Sequence, residues 1–262
     1  MRSYRIIATL SVAALAVLAP SGRTEEPQWG TIKGTIVFNG AVPVRKRIAI
    51  VGGDKAFCEK FGQVLSDELV VDPKTKGVRW VMVWLVDEKG GSKIPIHPKL
   101  AKPAAKMVVL DQPCCMFEPH VLGMRTGQVL VAKNSAEVTH NVNIIGGDEN
   151  PNKNVAIPPG KSLEVEDWKG SPRVVPVQCT IHNWMNAYVR VFDHPYFAVT
   201  NDKGEFEIKD APAGKFRLVV WQESVGWVVK EGEKSGKLGI PLEIKPNAMT
   251  ELGALKLTPE KN

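Results

Sequence analysis

Three residues that could bind a soft metal lie on one short stretch, Cys179-Thr180-Ile181-His182-Asn183-Trp184-Met185, and a second imidazole, His140, precedes Asn141 upstream. Together they offer a thiolate, two imidazoles and a thioether. That donor set suits copper. A thiolate with two imidazoles in one plane and a weak axial thioether holds both Cu(I) and Cu(II) with little rearrangement, which fast one-electron transfer requires. Zinc is the nearest rival because Cys and His suit it too, but Met185 is a poor zinc ligand. A dinuclear copper centre would need a second loop cysteine, and multicopper oxidase sites need paired His-x-His motifs; the chain has neither.

The spacing puts Cys179, His182 and Met185 on one loop, so His140 has to arrive from a separate strand. Alternation agrees. His140, Val142 and Ile144 fall on one side of a period-two strand, and Val175, Val177 and Cys179 on one side of another. Both ligands then point with apolar neighbours toward a sandwich interior, where exclusion of water would fix their geometry.

This pattern resembles the cupredoxins, the plastocyanin and azurin family, in which the first copper His sits in a His-Asn pair and the other three ligands share a C-terminal loop. The Cys-x-x-His-x-x-Met spacing is amicyanin-like, and the loop runs into a strand at Tyr188-Val189-Arg190-Val191. Gly127 to Asn134, followed by Thr139-His140-Asn141-Val142, is similar to the family's strand, loop and His-Asn succession. The resemblance covers roughly residues 105–193. It implies one type 1 copper ion held by His140, Cys179, His182 and Met185. Asn141 would tie the two ligand loops together. Trp184, by its own place between His182 and Met185, is positioned to shield the metal or present an aromatic docking surface, with simple loop packing the equal alternative. The resemblance also implies that the outer edge of His182 reaches the surface as the route for electrons.

A second resemblance lies downstream. Phe197-Ala198-Val199-Thr200-Asn201-Asp202-Lys203-Gly204-Glu205-Phe206-Glu207-Ile208, then Pro212-Ala213-Gly214-Lys215-Phe216-Arg217-Leu218, looks like the carboxypeptidase regulatory-like module, a small prealbumin-like β-sandwich. The Asn-Asp-Lys-Gly turn suits a hairpin, with Gly204 taking positive φ. The opening strand of such a module resembles Gly30 to Gly40. The expectation is therefore an all-β protein: a cupredoxin Greek-key β-sandwich over 105–193, inserted into a discontinuous second sandwich built from 27–104 and 195–258. Consecutive domains are the alternative. Trp80-Val81-Met82-Val83-Trp84-Leu85-Val86 reads as a strand buried on both faces.

Residues 1–22 begin with Arg2 and Arg5, continue through an apolar run and end in small residues, which reads as an export signal peptide. No later stretch is long and apolar enough to span a bilayer. The formal charge is +6, and loss of Arg2, Arg5 and Arg23 takes three from it. What remains is too mild to argue for nucleic acid. The expected location is the periplasm, the cell surface or the medium.

Four cysteines in an oxidising compartment invite pairing. With Cys179 assigned to metal, Cys58, Cys114 and Cys115 remain; Cys58 bridged to Cys114 or Cys115 is favoured, and a vicinal Cys114-Cys115 bridge is the other choice. His120 could form an accessory metal site with Glu118, but a surface or hydrogen-bonded histidine is the simpler reading. His97 and His194 read as structural. The function expected is an electron carrier rather than an enzyme, with redox proteins of the dehydrogenase or cytochrome c type as donor and acceptor. A cell-surface binding module with a storage or structural copper site is the alternative.

Overall fold

The computed structural model describes residues 28–60, 62–228 and 238–258. The signal peptide expected over 1–22 lies outside these residues. Among them the chain is almost entirely β, folded as more than one sandwich, and no helix is long and apolar enough to cross a membrane.

The first strand, β1 (Trp29–Phe38), is the centre of a three-stranded sheet and runs antiparallel to β14 (Glu205–Pro212) and parallel to β18 (Met249–Leu257). A second sheet has the order β13 (Phe197–Val199), β4 (Met82–Val86), β15 (Gly214–Gln222), β16 (Gly226–Trp227), and β17 (Ile240–Ile244) also pairs with β15. Ile32, Ile36, Phe206 and Ile208 from one sheet and Val83, Leu85, Leu218 and Val220 from the other share one buried core. A short ribbon, β2 (Val70–Val71) with β3 (Val78–Arg79), flanks them.

Every strand between β4 and β13 pairs elsewhere. β5 (Met107–Asp111), β7 (Val129–Lys133) and β10 (Ser162–Val165) form a three-stranded sheet. The other sheet has the order β6 (Val121–Arg125), β12 (Asn186–Phe192), β11 (Val175–Gln178), β8 (His140–Ile145), β9 (Asn152–Ile157). Their facing side chains, among them Leu110, Leu130, Val142, Ile144, Val177 and Val189, make a second core.

β4 explains the strand that reads as buried on both faces. Val83 and Leu85 enter the first core, whereas Met82, Trp84 and Val86 pack with Val121, Phe192, Val219 and Trp221 in a third cluster between the two sandwiches. Period-two alternation thus serves two cores at once.

Two expectations need correction. The Asn201–Gly204 turn is not a hairpin between paired strands, because β13 pairs with β4 and β14 with β1. It carries the chain from one sheet to the other. Gly204 does take positive φ, at +75°, and a Cβ there would collide with the Ile36 carbonyl, so the turn is pressed against β1. The second correction concerns residues placed with the first sandwich. Ile50, Cys58 and Val64 are buried in the other core, against the β5–β12 unit. Their segment includes the short helix α1 (Lys55–Cys58).

His194 sits where the chain leaves β12 for β13. Its Nδ1 accepts the Tyr196 N–H at 3.2 Å, and it is 2% exposed. Burial, followed by the nearby Arg190 cation, holds its pKa down to about 4. An unfolded His titrates near 6.5, so between these values the unfolded chain binds the extra proton and stability falls as pH falls. Urea denaturation should show this group costing about 2 kcal/mol between pH 7.5 and pH 5. His194→Asn should flatten that part of the slope. Equal pH slopes in variant and parent would refute the assignment.

Candidate metal centre

His140 opens β8, and Cys179 follows the last residue of β11, its neighbour in the sheet; Val177 of β11 pairs with Ile144 of β8. The loop that delivers His140 is shaped by Asn134. This fully buried side chain donates to the carbonyls of Val138 (2.9 Å) and Ile157 (2.7 Å) and accepts from the Ala136 N–H (2.9 Å). Such a satisfied buried amide fixes a turn that has no ladder partners of its own. The 179–185 loop closes on itself: the Cys179 N–H donates to the Met185 carbonyl at 3.1 Å, and the Met185 N–H to the His182 carbonyl at 2.9 Å.

The two ligand segments are stitched together by Asn141. Its Oδ1 accepts the N–H groups of Thr180 (2.7 Å) and Ile181 (3.2 Å), while its Nδ2 donates to Asn154 of β9 (2.6 Å).

Within this frame one donor atom each from His140, Cys179 and His182 lies within 4.8 Å of the others, and all three residues are buried. The ring Nδ1 atoms of His140 and His182 face each other at 2.9 Å, and Cys179 Sγ lies 3.9 Å from His182 Nδ1. Sγ also receives the backbone N–H groups of Asn141 (3.5 Å) and His182 (3.4 Å). Met185 is fully buried in the same core as Cys179.

Burial, and then the adjacent His182 ring, push the His140 pKa down to about 4, so at neutral pH it is an uncharged imidazole with a lone pair to give. On His182 the nitrogen remote from the cluster, Nε2, is 3.1 Å from Asp54 Oδ2. A carboxylate on the far nitrogen fixes tautomer and ring orientation, the usual support of a ligating histidine. His140 has no such support among the described residues: its Nε2 is buried with no partner there. Two convergent imidazoles, one neutral by burial, and a thiol that already accepts two N–H groups fit a soft or borderline cation such as copper.

Asp54 is the residue that sequence reasoning missed. It lies in a Gly-Gly-Asp loop with no motif, and the one pointer to it is Cys58 four residues later. Cys58 is bridged to Cys115, which resolves the pairing, and both sulfurs lie within 4.8 Å of a His182 ring nitrogen. Cys114 is free; burial, then Glu118, pushes its thiol upward, so it stays protonated.

The expectation that the outer edge of His182 reaches the surface is overturned. The residue is 4% exposed, covered by Asp54, the disulfide and Trp184, whose ring centroid lies 5.1 Å away and whose Nε1 donates to the Cys115 carbonyl at 3.1 Å. Thr180, Ile181 and Asn183 are the exposed residues of the loop, and Ile181, at 50%, is its exposed apolar one. His120 is not joined to Glu118. Its Nε2 is 2.5 Å from Glu223 Oε2, and the other carboxylate oxygen accepts the Tyr188 hydroxyl at 2.8 Å. His97 is structural: its Nδ1 accepts the Lys99 N–H at the start of a 3-10 turn.

No family model matches the chain, and no curated protein matches it. Among solved structures, the reduced state of an amicyanin variant aligns at 18% identity over 35% of this chain and 87% of its own, with a TM-score of 0.29. A copper-containing nitrite reductase from Thermus scotoductus SA-01 aligns at 20% identity over 38% of this chain and 27% of its own, TM-score 0.32. A purple cupredoxin from Nitrosopumilus maritimus aligns at 18% identity over 33% of this chain and 99% of its own, TM-score 0.28. Scores this low make no case for function, so the residues of the site have to carry it.

Proposed function

We propose that the protein is an exported mononuclear type 1 copper protein that carries single electrons between redox partners. The observation that carries the reading is the convergence of His140, Cys179 and His182 donor atoms within 4.8 Å in a buried site, with Met185 on the same short loop. A copper ion held there would cycle between Cu(I) and Cu(II), passing one electron at a time.

The chain's own residues have separate tasks in this reading. His140, His182 and Cys179 supply the three strong donors. Met185 would supply the weak one, and a fourth protein donor would leave no open position for a substrate, which favours a carrier over an enzyme. Asn141 locks the two ligand segments against each other, so the donors keep their places when the charge at the site changes. Asp54 holds the His182 ring and, with its side chain 43% exposed, links that buried ring to the surface. Exposed Ile181, and Val51 close to Asp54 in the chain, give the partner-facing side an apolar character suited to transient docking.

A visible spectrum of the full-length protein after Cu(II) loading tests the reading. Intense blue or green colour at one copper per chain is expected. A colourless Cu(II) protein would overturn it and favour a storage or structural role.

A further inference from the structure

We propose that Cys58, Cys115 and His182, with Asp54, form a second metal site, for a cation of the zinc class, which exists in the dithiol form of the chain and is abolished when the Cys58–Cys115 bridge closes. It shares His182 with the proposed copper site but needs neither Cys179 nor Met185, so it does not stand or fall with the copper reading.

One donor atom from each of Cys58, Cys115 and His182 lies within 4.8 Å of the other two, and all three residues are buried. Two thiolates and an imidazole are three of the four donors of a tetrahedral zinc site. The fourth is close at hand. Asp54 Oδ2 is 3.1 Å from His182 Nε2, and the Asp54 side chain, 43% exposed, gives the cluster a solvated side. A disulfide that merely staples two segments has no need of an imidazole and a carboxylate beside its sulfurs.

Each cysteine is held near His182 by contacts other than the bridge. The Cys58 N–H donates to the Asp54 carbonyl at 2.9 Å, while the Asp54 carboxylate meets the His182 ring. The Cys115 carbonyl accepts Trp184 Nε1 at 3.1 Å, and the Trp184 ring packs against that of His182, 5.1 Å between centroids. Opening the S–S bond therefore leaves two thiols beside one imidazole.

The two forms interconvert by thiol–disulfide exchange with a small dithiol. One of its thiolates attacks Cys58 Sγ and frees Cys115, which takes up a proton; its second thiolate then attacks the mixed disulfide, frees Cys58 as a thiol and departs in a cyclic disulfide. The cation displaces both thiol protons to solvent as it binds. A small disulfide reverses the exchange, closes the bridge and expels the cation. Cys58 borders a cavity of about 300 Å³ and lies in a segment that belongs to none of the sheets, so local opening admits the reagent.

The test uses the full-length chain carrying Cys114→Ser and Cys179→Ser, in which Cys58 and Cys115 are the remaining cysteines. It is reduced with dithiothreitol, freed of reductant without air and titrated with cadmium chloride. Thiolate-to-cadmium absorption should saturate at one cadmium per chain, and should be absent while the bridge is intact. Adding His182→Ala should weaken binding more than about 100-fold, and Asp54→Ala about tenfold. Should the reduced chain unfold without metal, cadmium should restore a cooperative melt, because binding free energy is then folding free energy. No saturable absorption, saturation at one cadmium per two chains, undiminished binding in either variant, or a reduced chain that stays unfolded with cadmium would each overturn the proposal.

Discussion

Cys179→Ser should strip the copper-loaded protein of its intense visible colour, leaving less than about a tenth of the absorbance, because the band arises from the covalent bond to a thiolate. A serine oxygen is a hard donor that stays protonated near neutral pH. It also offers a poorer acceptor to the Asn141 and His182 N–H groups that now converge on the sulfur. The change is nearly isosteric, and the loop stays closed through backbone bonds between Cys179 and Met185 and through Asn141. Circular dichroism of the metal-free variant should therefore match the parent. Met185→Leu makes the contrast: colour is retained and the reduction potential rises, since a weak axial donor to the oxidised state is replaced by hydrocarbon of similar volume. Full colour in the Cys179 variant would sink the copper assignment, and loss of colour in both would mean that Met185 does more than modulate.

The side of a strand on which a residue lies is legible in the amino-acid sequence, and so is the local chemistry of the loop. Val142, Ile144, Val175 and Val177 are buried as their alternation requires, and Asn141 makes the hydrogen bond to the second segment that the family resemblance, rather than its position alone, implies. Contacts made across long stretches of chain are not legible in this way. Asp54 reaches His182 across 128 positions, and nothing in a Gly-Gly-Asp loop marks it, because a hydrogen bond to a distant ring leaves no periodicity. The turn before β14 shows the same limit from another side. Its residues encode a tight reversal with positive φ at Gly204, but whether the next strand returns to the same sheet depends on which edge is free, and here β1 takes it. His120 is open to an acidic partner, and proximity along the chain suggests Glu118; the fold supplies Glu223 instead. The exposed edge expected of His182 fails because a segment far from the ligand pattern, anchored by Cys58, folds over it.

That covering segment also shapes what should happen when the chain is divided. We propose that 105–193 is an insertion and that the flanking segments form one cooperative unit. In the intact chain β14 pairs with β1, and both β13 and β15 pair with β4, so every sheet that the C-terminal segment enters has an essential strand from before residue 105. A fragment of residues 195–262 keeps only β15 with its small partners β16 and β17 and leaves Leu218, Val220 and Ile244 with no opposing sheet. A few paired strands with an uncovered apolar face are not independently stable. The fragment should show a collapsed amide proton spectrum and no cooperative melt. Residues 105–193 retain β5 through β12 and all four expected ligands, and should still bind copper. They lose the buried Ile50 and Val64 and the Cys58–Cys115 bridge, so their stability should fall by roughly 4–8 kcal/mol relative to the same unit in the whole chain. They also lose Asp54, which leaves the His182 edge open to solvent. A dispersed spectrum and a cooperative transition from the 195–262 fragment on its own would show that the sandwiches follow one another along the chain, and the insertion would be wrong.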